Sequence, residues 1–303
     1  MMGWELRSCL LRFTDIMLGD NGGTWCRRCH GAREETLRNP ADVIADVRAA
    51  VDSWDAAPGP NIALAGAEPF RHPAIATVVA DAVEAGAQRI RLDSDCSGFS
   101  SATTAEAVIG SGVRHVQFTL LGSMATLHDS LCGTAGAFER TIRGAKTFAE
   151  VARASNTPVQ LSAHVPVCRH TIRDIAGIVG AAATAGASLV HLALVDEHLA
   201  PAAAAPWIGA ACDTGVVNAV WVEVGGVPFC LAAGWELHLA PIYRSVEGAK
   251  AAACGRCPLD GVCGGAPQGA GGAVLAALQP PADADGLAAR ISRSFEPPAG
   301  SHA

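Results

Sequence analysis

Charge is scarce in this chain. Only 17% of its 303 residues are Asp, Glu, Lys or Arg, against 50% apolar, which argues against a wholly disordered chain or an extended coiled coil. Basic charge is scarcer still: 22 Lys plus Arg stand against 29 Asp plus Glu, a net charge of −7. No broad positive field therefore draws the protein to a phosphate backbone or an anionic membrane, and neither nucleic acid nor membrane is an expected partner. The N-terminus lacks a basic region followed by an apolar run and a cleavage site, so an export leader is not expected and the chain reads as cytoplasmic. The uncharged segment from Ile175 to Val190 is rich in Ala and Gly and runs straight into His191. It fits a buried helix leading into a strand better than a membrane span.

What the chain has is length for one large domain, or a domain with a small appendage, and eleven cysteines. The odd count leaves at least one outside any set of intramolecular disulfides, and the uneven spacing points to metal-binding subsets. Two subsets stand out: Cys26 with Cys29, and Cys254 with Cys257 and Cys263.

Up to about residue 200, short β-prone runs alternate with longer Ala-rich helical runs, the pattern of parallel βα units. Strands are expected at Leu6 to Thr14, Asn61 to Ala65, Arg89 to Asp93, His115 to Leu120, Val159 to His164 and Leu189 to Val195. Helices are expected at Pro40 to Trp54, Ile75 to Ala85, Thr103 to Ile109, Ala137 to Ala152 and Ile172 to Ala185, several stopped by glycine. Past Glu197 the rhythm weakens. Pro201 and the Ala run after it read as a joint, followed by a strand at Val216 to Val224, a Gly-Pro turn and the densest cysteine grouping. From Gly264 on, Gly, Ala and Pro dominate and the end reads as a tail.

The stretch GGTWCRRCHG, Gly22 to Gly31, follows the first expected strand. Two thiolates two residues apart can converge on one metal, and His30 adds a nitrogen donor. The run NIALAGAEPFRHP from Asn61 ends a strand and opens a helix, LDSDCSG from Leu92 ends the next, and RHVQFTLLG from Arg114 leads to His128-Asp129 and GTAGAFERTI. In this order the segments resemble the radical S-adenosylmethionine superfamily over residues 6 to 197. The resemblance implies a partial (βα)6 TIM-like barrel, an α/β fold, in which a cysteine motif after the first strand holds a [4Fe-4S] cluster that binds S-adenosyl-L-methionine. The family spacing is C-x3-C-x2-C, and aligning Cys26 and Cys29 with its last two positions puts Gly22 at the first. The third donor then falls to Cys9, His30, Asp20, another protein group or an exogenous ligand.

Gly66-Ala67-Glu68-Pro69 looks like the Gly-Gly-Glu-Pro motif that seats the methionyl amino group in that family. Glu68 equally suits a helix cap or a surface ion pair. Cys96, Cys132 and Cys168 each follow a different strand, where a radical relay or a small core residue would fit alike. His164 and His170 stand as substrate contacts and His191 as a local hydrogen-bonding group.

Cys230 joins the later cluster to give C-x23-C-x2-C-x5-C, a full ligand set for [4Fe-4S], with Zn as the alternative. The closing Cys-Gly-Gly resembles the auxiliary-cluster extensions of radical enzymes. The organisation read from sequence is thus residues 1–200 as barrel, 201–275 as a small C-terminal cysteine-rich metal-binding extension, and 276–303 as tail. The function implied is hydrogen abstraction by a 5′-deoxyadenosyl radical from a peptide or small-molecule substrate, with an electron-donor protein as partner. Two alternatives stay open: a catalytically retired barrel that binds or assembles, and a nonradical dithiol redox protein using Cys26 and Cys29.

Overall fold

The computed structural model describes residues 13–20, 36–55, 59–196, 198–239, 248–266, 271–276 and 278–295. Its frame is a seven-stranded, all-parallel sheet. The strands are β1 (Thr14–Met17), β4 (Asn61–Ala65), β5 (Arg89–Ser94), β6 (Val113–Thr119), β7 (Gln160–Val167), β8 (Leu189–Leu194) and β9 (Trp221–Gly225), in that spatial order. Two-residue strands β2 (Gly19–Asp20) and β3 (Thr36–Leu37) form a separate antiparallel pair. Each crossover carries helix: α1 (Pro40–Asp52), α2 (Ile75–Glu84), α3 (Ala102–Gly110), α4 (Ala125–Cys132), α5 (Ala137–Ala154), α6 (Ile175–Thr184) and α7 (Pro201–Val217). A mostly parallel α/β fold of this order is consistent with a partial TIM-like barrel.

Local chemistry sets these boundaries. The Asn39 side chain accepts the Ala41 N–H at 2.9 Å and Pro40 starts α1, a pairing that satisfies one orphan donor where proline's missing one costs nothing. Gly86 and Gly186 follow α2 and α6 with φ of +99° and +94°, the left-handed stops that the glycines predicted. Val116 and Phe118 along β6, with Leu120 just beyond it and with Phe99 and Phe148, are fully buried in the single large core.

The structure corrects several expectations. The sheet has seven strands, not six, because the expected joint at Pro201 is helix α7 leading into β9, which is hydrogen-bonded to β8. Pro201 sits at the first turn, where its fixed φ favours a helix, and alanine is the strongest helix former. Ala204, Ile208, Ala211, Cys212 and Gly215 give α7 a buried face. Of the strand expected at Val216 to Val224, the second half is found as β9, while Val216 and Val217 end helix α7 and are 72% and 85% exposed. Helix α4 was not expected. The first strand is described only from Thr14, since residues 1–12 fall outside the described part. Within the expected tail, a helix runs over Ala284–Phe295 with Ala284 and Leu287 buried.

Candidate active site

At the C-terminal edge of the sheet, β1 runs directly into the base of a loop. Gly19 pairs with Leu37 and Asp20 with Thr36, so the residues on either side of 21–35 lie together beside the end of β1. Cys26, Cys29, Gly22 and His30 lie in that stretch, and with Cys9 they fall outside the described residues. The turn after β4 packs against this base. The Leu18 N–H donates to the Ala65 carbonyl at 2.7 Å, and the ring of His72 donates from Nε2 to the Arg38 carbonyl at 3.2 Å. Gly66 has φ +84°, and a Cβ on it would lie 2.7 Å from the Gly19 oxygen and overlap the Met17 side chain. Only glycine fits there. Ala67 is buried beside it, and Pro69 opens a short 3-10 turn over Pro69–Arg71.

The Glu68 carboxylate accepts the Phe70 N–H at 3.3 Å, the Ser94 hydroxyl at 2.9 Å and the Asp95 N–H at 2.7 Å. The helix-cap reading describes this side chain: it caps the turn and ties the ends of β4 and β5 together. Burial, with Asp95 nearby, pushes its pKa up to about 8 against the pull of those hydrogen bonds.

Pairing register places four rows of residues across one face of the sheet. From the N-terminal end these are Asp15, Ala63, Arg91, His115 and Gln160; then Asp93, Gln117, Ser162, Leu189 and Trp221; then Thr119, His164, His191 and Glu223; and finally Pro166, Ala193 and Gly225 at the mouth. Arg91 donates to both oxygens of Asp93, at 2.7 and 3.0 Å, and to Asp15 at 3.4 Å. His115 Nε2 and the Ser162 hydroxyl are 2.7 Å apart. His164 and His191 face each other with their Nδ1 atoms 3.4 Å apart, and burial lowers their pKa values to about 4 and about 3. Sequence reasoning found only the histidines. The signal it passed over was the alternation of polar residues with apolar ones, as in Arg89–Ser94 and Val113–Thr119.

The three remaining strand-end cysteines are all buried. Cys96 is fully buried with φ +60°, and burial pushes its thiol well up. Cys132 is buried with its thiol 3.6 Å from the Asp129 carbonyl, and Cys168 is buried with the Thr171 hydroxyl 3.6 Å from its sulfur. Cys96 and Cys168 match the small-core-residue reading, whereas the Cys132 sulfur lies within 4.8 Å of ligand atoms of His128 and Asp129, a group able to hold a metal ion. Asp129 accepts the Gly136 and Phe138 N–H groups at the start of α5, and His128 Nδ1 accepts the Leu121 N–H.

Cys230, Cys254, Cys257 and Cys263 line one small cavity of about 20 Å³, open in part to solvent, together with Phe229, Lys250 and Leu278. All four are free thiols. Burial pushes the Cys230 thiol up to about 11, with Cys263 and Cys254 adding to the shift. The Gly265 N–H donates to the Cys263 sulfur at 3.4 Å, and Lys250 ties the site together through the carbonyls of Asp260 and Cys263. Among the described residues, no three of these sulfurs lie within 4.8 Å of one another. Four thiolates on a single Zn2+, with bonds of about 2.3 Å, would sit about 3.8 Å apart. No helix among the described residues is long and apolar enough to cross a membrane.

No family model matches the sequence, and no curated protein matches it. Among solved structures, the chain is similar in fold to Streptococcus suis SuiB. With SuiB bound to its precursor peptide SuiA it shares 16% identity at a TM-score of 0.54, over 71% of this chain and 49% of SuiB. With SuiB bound to S-adenosylmethionine the values are 15% and 0.51, over 70% and 45%. The chain thus spans about half the length of SuiB, and the likeness is one of fold.

Proposed function

We propose that the protein is a radical S-adenosylmethionine enzyme acting on a peptide or small metabolite, with an auxiliary iron-sulfur cluster in its C-terminal part. The observation that carries this reading is the seat of Gly66-Ala67-Glu68-Pro69 against the base of the loop bearing Cys26 and Cys29, bare backbone on bare backbone at Gly66 and Gly19. Similarity in fold to SuiB, crystallised with S-adenosylmethionine and with a precursor peptide, supports the cofactor and favours the peptide.

When bound, a reduced [4Fe-4S] cluster with S-adenosylmethionine supplies a 5′-deoxyadenosyl radical that takes hydrogen from substrate. Cys26 and Cys29 would hold that cluster, with a third donor in place of Gly22. The chain's own residues do the rest. Gly66 and Gly19 leave room for close approach to the backbone, and Glu68 fixes the turn by capping it. The polar rows of the inner face supply hydrogen-bonding groups beneath the mouth, where orientation of substrate decides the outcome. Cys230, Cys254, Cys257 and Cys263 would hold the auxiliary cluster, in an extension that begins after β9.

Gly22 favours one other reading, a barrel that has lost this chemistry and serves as a metal-stabilised binding or assembly protein. Anaerobic iron-sulfur reconstitution of wild type and Cys26→Ala/Cys29→Ala separates the two. Reductant-dependent cleavage of S-adenosylmethionine, abolished in the double variant, is expected. Fully metallated wild type that neither binds nor cleaves S-adenosylmethionine sinks the enzyme reading in favour of the retired barrel.

A further inference from the structure

Helix α4 carries His128 and Cys132 four residues apart, so one turn of helix stacks the imidazole and the thiol on the same face. A ring nitrogen of His128, a carboxylate oxygen of Asp129 and the Cys132 sulfur all lie within 4.8 Å of one another. Nitrogen, oxygen and sulfur donors sharing one tetrahedral ion stand about 3.3–3.8 Å apart, so side-chain shifts of about an ångström bring the three onto a single ion. Asp129 is already held for such a role. Its two oxygens accept the Gly136 N–H at 2.6 Å and the Phe138 N–H at 2.9 Å, which fix the carboxylate from outside while each oxygen keeps a further lone pair.

His128 gives the independent sign of a missing ligand. The side chain is fully buried, and Nδ1 accepts the Leu121 N–H at 3.2 Å. Nε2 is closed to water and has no hydrogen-bond partner among the described residues. With Nδ1 acting as acceptor, the ring proton sits on Nε2, where a buried donor is left unmade. An ion on Nε2 removes that defect. The ring proton then moves to Nδ1, the Cys132 thiol releases its proton to solvent and binds as thiolate, and the Leu121 N–H gives up one neutral hydrogen bond in exchange for three metal–ligand bonds.

We propose that His128, Asp129 and Cys132 form a binding site for one divalent first-row metal ion of the Zn2+ class. Mixed nitrogen, oxygen and sulfur donors suit such an ion and disfavour Mg2+ and Ca2+, which take oxygen alone. Three protein ligands leave a fourth position for water. Asp129, half-buried while its two partners are buried, gives the ion its way in. Because Asp129 also holds the first turn of α5, the ion ties the end of α4 to the start of α5. The site uses none of the cysteines assigned to clusters, and it does not depend on S-adenosylmethionine chemistry.

The test is an anaerobic Co2+ titration of the full, tag-free chain beside Cys132→Ser and His128→Gln. Cobalt here has one thiolate, giving tetrahedral d–d bands with weak sulfur-to-cobalt charge transfer, whereas cobalt on the cysteine groups has several thiolates and stronger charge transfer. Wild type is expected to bind about one equivalent of the one-thiolate type, weakened about tenfold or more in both variants, with the several-thiolate signal unchanged. Absence of the one-thiolate signal in wild type, or its full retention in both variants, overturns the site. Should the variants not fold, 113Cd nuclear magnetic resonance of loaded wild type decides. A resonance between the all-oxygen and several-thiolate ranges supports the site, and resonances in those two ranges alone overturn it.

Discussion

Gly66 and Gly19 meet backbone to backbone, and a Cβ on Gly66 would stand 2.7 Å from the Gly19 carbonyl oxygen. The contact joins the end of the second sheet strand to the base of the cysteine loop, at a left-handed residue that glycine alone adopts without strain.

Gly66→Ala therefore loses about 2–4 kcal/mol of stability, from backbone strain and overlap together. Gly86→Ala isolates the strain, because that glycine is also left-handed but has open space around it, and loses only about 1 kcal/mol. Urea unfolding of the two variants checks the difference. Equal losses would mean that the contact with Gly19 contributes nothing.

The second prediction concerns charge inside the sheet. The Arg91 side chain is 15% exposed and bound to Asp93 and Asp15. Arg91→Ala leaves the partly exposed Asp93 and the largely exposed Asp15 without their cation and costs about 1–3 kcal/mol. The double variant Arg91→Ala/Asp93→Asn recovers part of that loss. A double variant as unstable as the sum of its two single changes would show that the two groups act independently.

Stability follows pH in two windows. His128, His164 and His191 are depressed by burial to about 4, 4 and 3. The folded state thus binds fewer protons than the unfolded one, and their contribution is complete above 6.5 and lost as pH falls toward 4. Glu68 is raised to about 8, so its contribution is complete below 4.5 and lost as pH rises through 8. Urea midpoints measured from pH 4 to pH 9 should show both limbs. His164→Gln/His191→Gln flattens the acid limb and Glu68→Gln the alkaline one.

The fourth prediction is compositional. Reconstituted wild type carries about eight iron atoms per chain if both clusters form, and Cys254→Ala/Cys257→Ala about four. Removing the metal from the C-terminal site also lowers the thermal midpoint, since Phe229 and Leu259 in the core line the same cavity. Unchanged iron, sulfide and midpoint in the variant would exclude these cysteines as ligands.

Much of the scaffold was legible because its signals are local. Asn39-Pro40 marks a helix start, glycine marks helix stops, and the Gly66-Ala67-Glu68-Pro69 turn falls at the end of a strand as its composition suggests. Three of the later cysteines lie close in sequence, and the structure places Cys230 on the same cavity; the iron count above is the test of whether they bind metal together. Pro201 was misread because proline ends helices as readily as it begins them, and Val216-Val217 because branched residues suit strands. The three polar rows were hidden for a different reason. Arg91 and Asp93, or His164 and His191, acquire meaning only when strands far apart in sequence come into register.

The last strand of the sheet has a free side, and the chain covers part of it. After β9 the backbone turns back so that Leu239 bridges Val224, and the His238 ring donates to the Val222 carbonyl at 2.7 Å while stacking on Trp221. An uncovered edge of this composition, Trp-Val-Glu-Val, is a template for strand addition by another molecule. The segment leading to the cysteines therefore also shields the edge of the sheet, and a chain cut after Gly225 would leave β9 open to strand-paired aggregation even with every sheet residue in place.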